Sequence, residues 1–189
     1  VKVDRLMIEG FGPFSGRQEI DFTDLNQAGL FLLAGPTGIG KTSILDAICF
    51  ALFGETTGEG QGSGHPDGRE GRELRSTDAA ANQRTAVTLD FAVGGQRYRI
   101  ERNPDYVRPK QRGEGVTREA AKVVLGRLID GRSGDAQEDW EPIADGARGT
   151  KDQVKEIVGF DADQFRRVMI VPQGRFREVL ISSPQSRED

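Results

Sequence analysis

The rhythm of apolar and polar positions changes several times along this chain. In "VKVDRLMIEGF" and "FSGRQEIDF" short apolar patterns flank Gly12 and Pro13, which predicts two strands joined by a turn. Leu30 to Ala34 is a continuous apolar run, as expected of a parallel strand buried on both faces. In "SILDAICFALFG" the residues Ile44, Leu45, Ile48, Ala51 and Leu52 fall at helical spacing, and Gly54 stands where a C-terminal cap belongs. Val87, Leu89, Phe91 and Val93 then alternate up to Gly94-Gly95, and Tyr98 and Ile100 alternate on the return. That predicts a hairpin whose first strand is half exposed, with Asp90 an ordinary strand-end acid. Helical rhythm returns near Thr150, where Thr150 with Gln153 reads as a capping box and Gly159 as the stop. Asp161 with Gln164 reads as a second box, followed by an apolar stripe of Phe165, Val168 and Met169. The chain breaks at Pro172–Gly174, resumes with Phe176, Val179 and Leu180, and Ser183-Pro184 reads as a further helix start.

Between these segments, residues 55–84 are rich in glycine and poor in large apolar side chains, which predicts an exposed loop. A second polar stretch runs from Asn103 to about Gly115, and residues 117–130 fit helix or strand equally well. "DWEPIADG" reads as an edge element. A chain of 189 residues forms one sizeable domain with room for a small lobe. Cys49 is the only cysteine and His65 the only histidine, which excludes an internal disulfide and argues against a catalytic triad or His-rich metal site. Cys49 is expected to be a buried, inert thiol, His65 to be exposed in its loop, and Trp140 to pack within a small lobe. No run approaches about 18 apolar residues and no signal-peptide pattern opens the chain, so a cytoplasmic location without membrane contact is expected.

The chemistry concentrates in "GPTGIGKTS". Gly35, Pro36, Thr37, Gly38, Ile39, Gly40, Lys41 and Thr42 satisfy G-x-x-x-x-G-K-[ST] at every fixed position, between a predicted strand and a predicted helix. The glycines let consecutive backbone N–H groups turn toward anionic oxygens, and the helix start adds its positive dipole end. Lys41 is then placed to bridge the β- and γ-phosphates of ATP, Thr42 to bind Mg²⁺, and Ser43 to reach the α-phosphate. Hydrolysis also needs a Mg²⁺-holding acid after an apolar strand and a carboxylate that positions water. "VTLD" ending at Asp90 and "GRLID" ending at Asp130 are the available candidates, and neither carries a second carboxylate. The remainder of the active site is expected outside this chain.

"GPTGIGKTSILDAICFALFG" together with "FRRVMIVPQGRFREVL" closely resembles the SbcC family of ATPase subunits of DNA double-strand-break repair nucleases, which are SMC-like, ABC-type ATPases. "LMIEGFGPFSGRQEIDF" and "YRIERNPDYVRPKQRGEGVTREAAKVVL" share the likeness, which therefore covers most of the chain. It implies an α/β P-loop NTPase, the N-terminal lobe of an ABC/SMC-type head with an antiparallel β-subdomain. Residues 1–182 would form that lobe and residues 183–189 the start of a coiled-coil helix. It further implies that Gln173 is the Q-loop glutamine, completing the Mg²⁺ shell and sensing the γ-phosphate; from the residues alone Gln173 is a plain turn glutamine. A C-terminal half of the same ATPase would supply the signature motif, the Mg²⁺-binding acid and the catalytic Glu. Two heads would sandwich ATP and act with an SbcD-type nuclease on double-stranded DNA without sequence preference, in the cytoplasm at the nucleoid. This segment alone would be inactive. Thr37 stands where many relatives have Asn, and Gly12-Pro13 where some have Arg, so no adenine contact is assigned.

The net charge of the chain is −4, yet Arg97 to Lys122 holds eight Lys/Arg against four acids. In the light of the resemblance, Arg108, Lys110 and Arg112 are candidate DNA-phosphate contacts, and on charge alone a solvated loop with scattered arginines fits as well. Two rival functions remain: a stand-alone P-loop small-molecule or nucleotide kinase, and a non-hydrolytic SMC-type DNA clamp. Against the kinase, two strands precede the phosphate loop here, where a kinase places it after the first.

Overall fold

The computed structural model describes residues 1–28, 34–36, 38–57, 74–110, 114–129 and 139–169. Residues 30–33 of the predicted strand Leu30–Ala34, the glycine-rich stretch 58–73 with His65, Asp130, Gln173 and the predicted helix start at Ser183 lie outside them.

The two N-terminal strands are β1 (Lys2–Phe11) and β2 (Phe14–Asp21), followed by the short helix α1 (Thr23–Ala28). They pair antiparallel, Arg5 opposite Asp21 and Phe11 opposite Phe14, with an irregularity between Glu9 and Phe11. Gly10 sits at that irregularity with φ 54, and a Cβ there would meet the Arg84 carbonyl at 2.6 Å, so only glycine fits. The hairpin forms as the alternation predicts, from β3 (Ala86–Val93) and β4 (Gln96–Asn103), with Gly94 and Gly95 at φ 58 and 86. The ambiguous stretch 117–130 holds two strands among its described residues: β6 (Val116–Glu119), which pairs with β5 (Tyr106–Pro109), and β7 (Lys122–Leu128), which pairs with β4 and with the edge strand β8 (Trp140–Asp145). The larger sheet runs β2-β1-β3-β4-β7-β8, every described pairing antiparallel.

Register explains the core. Leu6, Leu89, Ile100 and Leu125 face one another across four strands, and all four are fully buried. Each such side chain contributes about 1.5–3 kcal/mol by leaving water. The helix after the phosphate loop, α2 (Lys41–Phe53), lies against β1, β3 and β4. On its other side it meets α3 (Ala147–Val158) and α4 (Ala162–Met169). Covered from two directions, it is buried without interruption from Ala47 to Leu52, which is why its sequence there is "AICFAL" rather than a one-sided stripe. Cys49 is fully buried as expected.

Two readings are corrected. β3 is not half exposed: Thr88 and Asp90 are buried along with the apolar positions, and Asp90 is a mid-strand residue, 1% exposed. Its carboxylate accepts from Arg5 Nε (3.1 Å) and, through both oxygens, from Arg99 (2.6 and 2.7 Å). Neighbouring strands thus roof the polar face of β3 with guanidinium groups. Arg99 also lies 4.4 Å from the centre of the Trp140 ring, so the expected small-lobe packing of Trp140 is a cation–π stack on this face. The Thr150–Gln153 box is not formed either. α3 starts earlier, after Gly146, and the Thr150 N–H already donates to the Gly146 carbonyl (3.1 Å). Thr150 is fully buried on the helix face it shares with Val154 and Val158, so packing took the residue that local pattern assigned to a cap. The second box is present: Gln164 N–H donates to Asp161 Oδ1 and Asp161 N–H to Gln164 Oε1, each at 3.0 Å.

Candidate nucleotide site

α2 begins at Gly40, whose φ of 97 lies in the left-handed region, and no side chain caps this end. The first helical bond runs from Ile44 N–H to the Gly40 carbonyl, 3.1 Å. The N–H groups of Lys41, Thr42 and Ser43 therefore precede the hydrogen-bonded ladder, as at any free helix start. Gly38, also left-handed at φ 89, bends the preceding loop, and Ile39 is 54% exposed at its tip. Lys41 folds back over the loop, its Nζ donating to the carbonyls of Gly35 (2.7 Å) and Pro36 (2.6 Å). Gly35 through Ser43 contains an ammonium, two hydroxyl-bearing residues after it and no carboxylate. That donor set fits a polyphosphate and gives Mg²⁺ one hydroxyl oxygen, from Thr42. Thr37 of this motif lies outside the described residues.

The β1–β2 turn supports the loop from outside. A Cβ on Gly40 would stand 2.8 Å from Phe14 Cζ and 3.2 Å from Pro13 Cγ, and one on Gly12 would touch Ser43 at 3.9 Å. The turn is tied in place in its turn by Gly12 N–H to the Leu74 carbonyl (2.9 Å) and Ser76 N–H to the Gly10 carbonyl (2.9 Å). Arg75 then gathers the following segment, donating to the Gln83 and Ala80 carbonyls (both 2.8 Å) and lying 5.2 Å from the Tyr106 ring centre.

The far end of α2 holds two arginines that the sequence did not single out as site residues. Arg102 on β4 is 7% exposed and donates to the carbonyls of Ala51 (3.0 Å) and Leu52 (3.3 Å). Burial pulls its pKa down to about 10, with Glu55 opposing. Its position was readable: Arg102 shares the inward parity of Tyr98 and Ile100 along the strand. Arg166 on α4 donates from Nε to the Thr56 carbonyl (3.1 Å), pairs through Nη2 with Glu55, and reaches Asp163 through Nη1 (2.6 Å). Thr57 closes the same segment onto α2, its N–H donating to Asp46 Oδ1 at 2.9 Å. Phe53, Phe160 and Phe165 pack between the two helices, with ring centres 5.5–6.3 Å apart. Positive groups here meet the negative end of the helix dipole, as an anion at Lys41 would meet the positive end.

The basic stretch proves largely self-neutralised. Arg97 faces Asp4, Arg99 holds Asp90, Arg118 pairs with Asp105 (2.5 Å) and Arg102 is internal. Among the candidate DNA contacts, Arg108 donates twice to Glu119 (2.7 and 3.0 Å), Lys110 is exposed, and Arg112 lies outside the described residues.

A family model described as an AAA domain matches residues 5–189. The chain is 45% identical over 185 residues to the SbcC subunit of the SbcCD nuclease of Vibrio cholerae serotype O1, a match covering 97% of this chain and 17% of that protein. Proteins of the same name from Lactococcus lactis and Staphylococcus aureus are each 34% identical, over 94% and 97% of this chain and 16% of their own length. The chain thus spans about one sixth of the length of the curated relatives it matches. No helix among the described residues is long and apolar enough to cross a membrane. With a phosphate loop of this geometry and a match over nearly its whole length, the chain belongs to the AAA domain family, as an α/β P-loop NTPase head of SbcC/SMC type.

Proposed function

We propose that this chain is the ATP-binding half of a DNA double-strand-break repair ATPase, coupling ATP binding and hydrolysis through head dimerisation to DNA-end processing by a partner nuclease. The observation that carries the reading is the capless start of α2, with Lys41 over the loop and three amides ahead of the helical ladder. The relatives are named subunits of a nuclease, which supports a nuclease partner of SbcD type. In this reading Gly35–Ser43 holds the phosphates and Lys41 balances the β- and γ-charge. Thr42 and Gln173 present oxygens to Mg²⁺, and Gln173 reports the γ-phosphate. Mg²⁺, when bound, would neutralise charge on the phosphates. Among the described residues no cluster of three or more His, Cys, Asp or Glu is placed to hold a metal.

Residues 1–182 form the lobe and 183–189 open a coiled coil. A C-terminal half supplies the signature motif, the Mg²⁺-binding acid and the catalytic Glu, and a second head completes the ATP sandwich. Arg108, Lys110 and Arg112 contact DNA phosphates without reading sequence, in a cytoplasmic protein at the nucleoid. The test is ATP hydrolysis by this chain with and without the C-terminal half, beside Lys41→Ala. Turnover is expected only with both halves and only with Lys41 intact. Robust turnover by the chain alone would refute the split site.

A further inference from the structure

The turn that crowds the phosphate loop hangs from a two-glycine joint, and one arginine holds that joint in place. Gly10 and Gly12 both take left-handed backbone angles, φ 54 and 55, on either side of Phe11. Glycines so placed let a backbone swing wherever no neighbouring segment restrains it. β3 accompanies β1 only as far as Glu9, opposite Ala86. Past that point Leu74–Ser76 takes the place beside β1. Phe11 bridges Arg75, the Gly12 N–H donates to the Leu74 carbonyl, and the Ser76 N–H donates to the Gly10 carbonyl. Two backbone bonds position the joint only if the strap that makes them is itself fixed, and residues 77–85 carry neither helix nor strand. The Arg75 guanidinium draws that strap together. Its Nη1 donates to the Gln83 carbonyl (2.8 Å) and to Thr85 Oγ1 (2.7 Å), and its Nη2 to the Ala80 carbonyl (2.8 Å). Arg75 Cζ lies 5.2 Å from the centre of the Tyr106 ring, whose hydroxyl accepts from the Thr85 N–H (3.2 Å). Thr85 and Tyr106 are buried, so the strap stands on a firm footing. It meets the joint again at Arg84, whose carbonyl packs against Gly10. Beyond the joint, Pro13 and Phe14 meet Gly40, from which α2 starts. A shift of Gly40 re-aims the N–H groups of Lys41, Thr42 and Ser43, the free donors of that helix start.

We propose that Arg75 is a positioning residue of the nucleotide site: acting through the β1–β2 turn, it fixes the strap that closes the Gly10–Gly12 joint and so sets where Pro13 and Phe14 hold the phosphate loop. This rests on the ATP-binding reading above and assigns part of that site's affinity to a side chain outside the phosphate-loop motif.

The test uses the complete ATPase, comparing wild type with Arg75→Gln, Arg75→Lys, Phe14→Ala and the Arg75→Gln/Phe14→Ala pair. Affinities for inorganic tripolyphosphate and for a non-hydrolysable ATP analogue are read by titration calorimetry, beside thermal unfolding. Arg75→Gln is expected to weaken both ligands about tenfold at a temperature where the variant is fully folded, because the phosphate donors are no longer pre-set. Tripolyphosphate carries no base or ribose, so an equal loss on both ligands places the defect at the loop. Arg75→Lys, a milder change that keeps the charge over Tyr106 if Arg75→Gln does not fold, cannot span acceptors at both ends of the strap and should lose affinity in the same direction. Phe14→Ala should weaken both ligands by a similar factor. The pair should be no worse than the poorer single variant, since Arg75 acts through Phe14. A role confined to stability would lower the unfolding temperature and leave the affinity of the folded protein unchanged, and that result would overturn the proposal. Loss confined to the ATP analogue, full recovery with lysine, or additive losses in the pair would each overturn it as well. Failure of the wild type to bind either ligand would instead overturn the ATP-binding reading, and this inference with it.

Discussion

Gly54→Ala should be among the most damaging one-carbon changes in this chain, and the structure says by how much. Gly54 caps α2 in the left-handed region at φ 81, where a side chain costs about 1–2 kcal/mol. The added Cβ would also stand 2.9 Å from Arg102 Nη1, closer than real Cβ contacts come. The guanidinium is a rigid plane, so moving Nη1 also moves Nε and Nη2 off the Ala51 and Leu52 carbonyls. Arg102 is nearly buried and has little water to turn to, so the loss adds about 1–3 kcal/mol. The total is about 2–5 kcal/mol, of which about 1–3 kcal/mol depends on Arg102. Urea denaturation followed by the fluorescence of Trp140, the only tryptophan, and by far-UV circular dichroism measures it. In an Arg102→Met background the clash is gone and Gly54→Ala should cost only the backbone share, about 1–2 kcal/mol. An equal cost in both backgrounds, within about 0.5 kcal/mol, would refute the coupling.

Three further outcomes are expected. The Asp161 carboxyl is held below its ordinary 3.8 because the Gln164 N–H donates to it, with Lys155 adding attraction against slight burial. Its folded value lies below its unfolded one, so the α4 cap is complete above about pH 4 and is lost as pH falls through the lowered value. Asp161→Asn should keep the cap and abolish that titration, read from the Gln164 amide chemical shift; an unchanged titration would point to another group. Burial pushes the Cys49 thiol up to about 12, with Arg166 opposing, so iodoacetamide at pH 8 should label the protein only in denaturant. Prompt labelling of the native chain would contradict the packing of α2. Neutralising Arg108, Lys110 and Arg112 together should flatten the salt dependence of DNA binding by up to about 0.9 log units for each phosphate no longer neutralised, and least at Arg108, which already holds Glu119. An unchanged slope would remove these three residues from the DNA surface.

What could be read from the sequence was whatever short-range pattern controls. The phosphate loop, the Gly94-Gly95 hairpin, the Gly54 and Gly159 caps and the Asp161–Gln164 box all lie within a few residues of their partners. What escaped depends on distant partners. Asp90 looked like a strand-end acid because the arginines that bury it, Arg5 and Arg99, come from strands on either side, one of them 85 residues away. The strand parity of Arg102 pointed inward, but its acceptors, helix-end carbonyls 50 and 51 residues back, did not show in the local pattern, and Arg166 answers groups 110 and 111 residues back. Thr150 carried a good capping signature and was taken by the core, where tertiary packing outweighs a local bond.

The contact between Gly40 and Phe14 bears on how much ordering a ligand must impose. A loop shaped only by its anion surrenders conformational freedom at the moment of binding, about 1–2 kcal/mol for each backbone residue fixed. Here an aromatic ring and a proline from the first turn of the chain already limit the path of the loop at its last glycine. Part of that entropy is given up during folding, so affinity becomes a property of the N-terminal hairpin as well as of the nine loop residues. The same loop grafted onto a scaffold without Pro13 and Phe14 would keep every phosphate donor and still bind more weakly.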